Sequence, residues 1–345
     1  MNYVIFFSIP VLIYFLNSYF VKNKSFLNFS GEKHQKILGK KNIPLTGGVF
    51  LIIFLSAILF EKNMILYLFL VFIFLIGLFS DIKVLAIPSR RLVLQSMLIT
   101  SFVYLFDTNI MSTRIIILDQ LLINYYYFSI FFTSLCLVIL VNGTNFIDGL
   151  NSLVLTYYLI ILALLYKLNL LTGINFTDFQ SIYLIYLLFL LIIFNFFNKL
   201  YLGDSGAYLL GFLFGYLLIE IHNKHQDISP YFIALLLWYP CFENLFSIIR
   251  KFNLGRSPVS PDSKHFHQLL FYFLKNKYKL NNFFCNNFSS IIINFYNFVI
   301  LLFGSLDLYN TQFLITLIMI NILIYTFAYL KLFRFKYKIL RSNKK

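Results

Sequence analysis

The chain is 345 residues long, 60% hydrophobic and only 12% charged, with a formal net charge of +15. A soluble domain carries about 25% charged residues and has no core that could absorb this apolar excess, so the composition excludes an ordinary soluble fold and makes a bilayer the solvent. Three cysteines, Cys136, Cys241 and Cys285, lie in or near apolar stretches without metal-type spacing, which leaves neither a disulfide framework nor a zinc site.

Apolar windows predict eleven spans, at roughly 3–21, 45–60, 64–79, 92–106, 124–141, 152–168, 181–198, 205–221, 230–249, 287–304 and 312–333. The first lacks a basic n-region and a small-residue cleavage site, so it reads as a spanning helix and not as a signal peptide. Alternating the connecting segments between two sides places 24 of the 28 Lys and Arg on one side and leaves Lys62, Arg114, Lys167 and Lys224 on the other. The positive-inside bias then puts the N-terminus outside and the C-terminus in the cytoplasm. The predicted fold class is an all-α, polytopic integral membrane protein of about 11 transmembrane helices. It reads as a single catalytic domain over 1–345, with its motifs in 40–270 and a long polar cytoplasmic loop at 250–286. Cytoplasmic basic charge suits anionic lipid headgroups and phosphorylated substrates, and nucleic acid is not an expected partner.

Five polar motifs border the spans, and in this topology all face the cytoplasm. Pro44–Phe50 (PLTGGVF) enters the second span behind Lys40 and Lys41. Gly47 and Gly48 permit close backbone approach and Thr46 offers a hydroxyl, so packing or capping and a phosphate or nucleotide contact both fit. Gly77–Arg91 (GLFSDIKVLAIPSRR) follows the third span and sets Asp81 near Lys83, Arg90 and Arg91, a mixture suited to anions and a metal. In Val141–Leu153 (VNGTNFIDGLNSL) the three- and four-residue spacing of Asn142, Asn145, Gly149 and Ser152 predicts one polar helical face with Asp148 at its edge. Interhelical hydrogen bonding explains such a face, but an ionisable group beside the membrane favours function. Tyr201–Phe212 (YLGDSGAYLLGF) opens the eighth span, where Asp204 can be a helix N-cap or hold a divalent cation while free helical amides hold phosphate oxygens. Arg250–Leu270 carries Arg250, Lys251, Arg256 and Lys264 for anions, then His265 and His267 two apart, on one side of an extended segment. No cysteine or third histidine stands near enough to complete a transition-metal site, so phosphate and sugar contacts are the expected role.

In this order the five motifs resemble those of the polyprenyl-phosphate N-acetylhexosamine-1-phosphate transferase family. Its members include bacterial initiators of O-antigen and teichoic acid synthesis and the phospho-N-acetylmuramoyl-pentapeptide transferase of peptidoglycan synthesis. The resemblance covers residues 40 to 270. It implies transfer of a sugar-1-phosphate from a UDP-sugar to undecaprenyl phosphate with release of UMP, at the cytoplasmic face of a bacterial inner membrane. Mg2+ is the implied cofactor, with Mn2+ as a substitute, and a homodimer is compatible with it. By the same resemblance Asp204 looks like the magnesium ligand and Asp81 like the catalytic acid near the lipid phosphate. Asn145 and Asp148 look like nucleotide-site residues, and His265, His267 and Arg256 like the loop over the sugar-nucleotide. The expected catalytic set is Asp81, Asp148, His265 and His267. Expected on the substrates are Lys41, Thr46, Gly47, Gly48, Arg90, Arg91, Asn142, Asn145, Arg256 and Lys264.

Three positions depart from the family pattern. Ser80 precedes Asp81 where an Asp pair is common, Asn151 stands where a second Asp often follows, and Gln268 stands where some members have another histidine. The last leans toward the branch that initiates cell-surface polysaccharides and away from the peptidoglycan enzyme. Beyond that enzyme, the rivals are a transporter or flippase and a catalytically silent relative that binds without turnover. For transport the clearest acidic residue inside a span is Glu243, near Trp238 and Pro240.

Overall fold

The computed structural model describes residues 3–23, 26–27, 43–59, 63–171, 178–255, 257 and 264–342. Among these the structure is helical, with one isolated bridge between Leu27 and Pro44. The helices are α1 (Tyr3–Lys22), α2 (Gly47–Leu59), α3 (Met64–Asp81), α4 (Pro88–Phe106), α5 (Ile116–Asn124), α6 (Tyr126–Ile147) and α7 (Leu153–Lys167). They continue with α8 (Asp178–Phe196), α9 (Gly203–Lys224), α10 (Pro230–Leu236), α11 (Trp238–Asn253), α12 (Phe266–Tyr278), α13 (Asn282–Gly304) and α14 (Thr311–Ser342).

Each apolar window contains a helix, with one change of shape. The window 230–249 is a broken pair, α10 and α11, bent by 75°. Pro240 lies in the first turn of α11, where a missing amide does no harm to a new helix but could not continue the old one. By length and composition α3, α6, α9, α13 and α14 can each cross a membrane, and the bent pair has the length and composition of either a broken span or a re-entrant loop. Hydropathy does not predict two helices: α5, only 9 residues long, and α12, whose 13 residues include His267, Gln268, Lys275, Asn276 and Lys277.

The axis of the bundle is α9. Of its membrane-length window 94% is buried, against 22% for α14, whose exposed apolar side is left to lipid. Without a hydrophobic drive between helices in lipid, such burial depends on small residues that let backbones meet. A Cβ built on Gly77 of α3 would stand 2.4 Å from the Ser205 Cα of α9, and one on Gly48 of α2 would stand 2.5 Å from the Gly206 amide. Three helices are thereby pressed together at the end where α9 begins. At its other end Arg114 donates to the carbonyls of Asp227 (2.6 Å) and Tyr309 (3.0 Å) and to the Thr311 hydroxyl (2.7 Å), tying three connections together.

Candidate functional site

The five motifs meet at the start of α9. Tyr201 and Leu202 run beside the first motif: the Tyr201 amide donates to the Pro44 carbonyl (2.8 Å), and the amides of Gly47 and Gly48 donate back to the carbonyls of Tyr201 (3.0 Å) and Leu202 (3.2 Å). Thr46 is fully buried and donates to Asn17 of α1 (2.6 Å). Of the two roles open to this motif, the described contacts of Thr46, Gly47 and Gly48 are those of packing.

Gly203 then adopts φ +76°, a left-handed turn that glycine makes without strain. This aims the following amides at the end of α3, and the Asp81 carboxylate accepts from Asp204 N–H (2.8 Å) and Ser205 N–H (3.1 Å). Here the expectation is corrected: Asp204 is not the N-cap but lies in the first turn, and Asp81 satisfies two of the amides expected to hold phosphate. A charged acceptor at a helix N-terminus is also favoured by the helix dipole.

After Asp81 the chain turns through Lys83, at φ +63°, and Pro88 opens α4 at a position where its missing amide costs nothing. The first turns of α4 return Arg91 to the end of α3. Its Nη1 donates to Asp204 Oδ2 (2.7 Å) and to the Ser80 hydroxyl, which itself donates to Asp204. A carboxylate at position 80 would face Asp204 at hydrogen-bonding range, so Ser80 lowers the local negative charge by one. The Arg91 Nε is buried without a partner among the described residues, a donor suited to an anion. Arg90 faces solvent.

In the third motif the predicted single helical face is not formed. Helix α6 ends at Ile147 with Asp148 as its C-cap, and Ser152, at φ +60°, precedes α7, so only Asn142 and Asn145 share the helix. Asn142 donates to Gln95 (3.0 Å) and Asn145 to the Tyr208 hydroxyl (3.4 Å). Asn151, in the same turn, bonds to Asn198 (2.9 Å) and Asn286 (2.7 and 3.1 Å), a neutral network that locks the turn. Asp148 is half-buried, and burial first, then repulsion from Asp204 and Asp81, pushes its carboxyl well above the usual carboxylate range. Beside it the Tyr201 hydroxyl is buried with no partner among the described residues.

The fifth motif closes over this turn. A Cβ built on Gly149 would meet His267 Nε2 at 2.2 Å, and the His265 ring packs on Phe146 with centroids 5.3 Å apart. Both histidines are buried, and their rings lie parallel within 10° at 5.8 Å. What fixes His265 is Glu243 of α11, fully buried, which accepts from His265 Nδ1 (3.0 Å), the Phe266 amide (3.2 Å) and the Tyr325 hydroxyl (2.5 Å). A carboxylate can only accept, so the proton sits on Nδ1 and Nε2 is left as the second face of the ring. Sequence reasoning placed Glu243 with transport, because its partners are 22 and 82 residues away and no local pattern links them. Lys264 turns instead over the rings of Phe333 and Tyr337, and Arg250 over Phe246 and Tyr329. Lys41 and Arg256 lie outside the described residues.

Among the described residues no group of three or more His, Cys, Asp or Glu converges as a metal cage. Magnesium does not require one, since it is commonly held by one or two carboxylates together with substrate phosphates and water. Three carboxylates that repel one another, Asp81, Asp148 and Asp204, supply the donor chemistry such a cation takes. The Arg91 guanidinium already offsets part of the charge, and phosphates would meet the same side chain.

The sequence profile of glycosyl transferase family 4 matches residues 63–222, the stretch that carries Asp81, Asp148 and Asp204. An undecaprenyl-phosphate alpha-N-acetylglucosaminyl 1-phosphate transferase of Thermotoga maritima is 28% identical over 269 residues, covering 75% of this chain and 78% of that protein. The transferase of the same name from Escherichia coli K12 is 33% identical over 73 residues, 21% of this chain and 20% of its own length. A decaprenyl-phosphate N-acetylglucosaminephosphotransferase of Mycolicibacterium smegmatis is 27% identical over 176 residues, 45% of this chain and 42% of that protein. With an apolar all-helical bundle and motifs that meet at one end of it, the chain is similar to glycosyl transferase family 4 over residues 63–222.

Proposed function

We propose that this protein transfers N-acetylglucosamine 1-phosphate from its UDP-sugar to undecaprenyl phosphate and releases UMP, the first step of a cell-surface glycan. The observation that carries this reading is the meeting of carboxylates, Arg91 and two buried histidines around the start of α9. The relatives' names favour it over the peptidoglycan alternative. Placing the site at the cytoplasmic face, with eleven crossings, the N-terminus outside and the C-terminus inside, is supported by the distribution of Lys and Arg and by a helix or bent pair in every predicted window.

In this reaction an oxygen of the lipid phosphate bonds to the sugar-bearing phosphorus, and the bridging oxygen leaves with UMP. Two anions must approach, so electrostatic offset and alignment supply most of the catalysis. Arg91 is placed to hold a phosphate oxygen once released from Asp204. Asp81 keeps the start of α9 in register, and the Nε2 of His265 can take the residual proton of the attacking phosphate. Bound at Asp204 and Asp148, Mg2+ would supply charge neutralisation of the diphosphate.

The direct test is release of UMP by purified protein given Mg2+, undecaprenyl phosphate and UDP-N-acetylglucosamine. Asp204→Ala should abolish that release. Absence of UMP from folded wild-type protein across the common UDP-N-acetylhexosamines would overturn the assignment, and full activity of Asp204→Ala would remove this residue from the metal site.

A further inference from the structure

Away from the acidic cluster, α11, α12, α13 and α14 enclose a cavity of about 710 Å3, inside the range of ligand pockets. Its walls are apolar and aromatic, with Trp238, Phe266, Tyr296 and Tyr325 among them, and α14 adds Ile324, Ala328 and Phe335. From Ile324 to Lys331, the first cation on α14, the wall follows 7 residues of helix, ~10 Å. Four cations line the cavity, Lys277, Lys331, Arg334 and Lys338, the last three spread over the next ~10 Å of α14. All four are exposed, and none has an ion-pair partner among the described carboxylates.

An apolar, aromatic slot with four cations along part of its wall has the chemistry of an acidic lipid: hydrocarbon against the rings and phosphate on the Lys and Arg side chains. A phosphate held at Lys277 would not be the reacting one. Helix α12 leads from His265 at the candidate site to Lys277, 12 residues or ~18 Å. The cavity nevertheless borders the site, because Tyr325 and Phe266 in its wall are two of the donors that hold Glu243, and Glu243 holds His265.

We infer that this cavity binds one anionic diacyl phospholipid of the surrounding bilayer, separate from the lipid substrate, and that the bound lipid supports the Glu243–His265 contact. Binding stands on the cavity and its cations alone; the consequence for turnover rests on the reaction proposed above.

The test uses full-length protein stripped of lipid in detergent and examined by native mass spectrometry. The probes are phosphatidylglycerol, phosphatidylcholine of the same chains, and undecaprenyl phosphate. One phosphatidylglycerol should be retained in preference to phosphatidylcholine. The double variant Lys331→Gln, Lys338→Gln should weaken that retention about 30-fold, and Ala328→Trp, which fills the slot, should remove both lipids. Equal retention of the two phospholipids, or undiminished phosphatidylglycerol in the charge variant, would overturn the site even if the tryptophan variant failed to fold. One-for-one displacement by undecaprenyl phosphate would overturn it too, by assigning the cavity to the substrate. In nanodiscs, UMP release should rise with phosphatidylglycerol for wild type and not for the charge variant, and binding without stimulation would overturn the link to His265. If no sample releases UMP, the proposed reaction fails while the binding comparison still reads out.

Discussion

Removing the charge of Glu243 while keeping its shape separates two things this residue does. Its Oε1 accepts from both His265 Nδ1 and the Phe266 amide, while Oε2 accepts from Tyr325. In Glu243→Gln the amide oxygen can keep the first two bonds, and the amide nitrogen can donate to a Tyr325 hydroxyl that turns to accept. All three contacts survive and only the charge is lost, so the cost is that of weakening charge-assisted bonds, about 1–2 kcal/mol. Glu243→Ala instead leaves three buried donors without an acceptor and costs about 3–5 kcal/mol. The melting temperature of purified protein in detergent should therefore fall slightly for Gln and steeply for Ala. Turnover should fall about 10- to 100-fold for Gln, the scale on which partners that orient a functional histidine act, with little change in KM for the UDP-sugar. Wild-type kcat in Glu243→Gln would refute the claim that this carboxylate sets the histidine's protonation, and equal melting of the two variants would refute the three-bond reading.

Gly149→Ala should cut UMP release at least tenfold, since its Cβ would collide with Nε2 of the buried His267; normal turnover would show that His267 can move without harm. Gly203→Ala should be destabilised by about 1–3 kcal/mol, because φ +76° is unfavourable for alanine and the new Cβ would lie 2.7 Å from Asp81 Oδ2; a thermal melt matching wild type would contradict this. For Asp148 the sign follows from its raised pKa: the folded state keeps a proton that the unfolded chain gives up. Stability without metal should then fall as pH rises above ~4 toward and past neutrality. Asp148→Asn should flatten that slope and melt higher than wild type at neutral pH in chelator; parallel pH profiles would show that the acid cluster is not repulsive.

Hydropathy made the bundle legible, because a segment that must satisfy its own backbone in lipid has one available form, and α3, α6, α9, α13 and α14 follow from it directly. It could not show the 75° break before Trp238, since PYFIALLLWYPCF is apolar on both sides of the bend. Nor could it show α5, which is short, or α12, whose Gln268, Lys275, Asn276 and Lys277 dilute its apolar residues. The motif residues were legible as polar interruptions, and Asp81, Asp148, Asp204, His265 and His267 do lie at one end of the bundle. Their individual tasks were not. That Asp81 caps α9, that Ser80 and Arg91 share Asp204, and that Glu243 anchors His265 are contacts across 11 to 124 residues of chain, set by tertiary packing and not by spacing.

The contact of α2, α3 and α9 through Gly48, Gly77 and Gly206 leaves those backbones no slack. Asp81 and Asp204 are mounted on one welded frame, so a change of distance between them would need whole helices to part. Accommodation of sugars of different size must then fall to the other wall, where α11 and α12 deliver the histidines. Variants with altered donor preference should accumulate there, whereas the acidic wall should tolerate almost no change of volume.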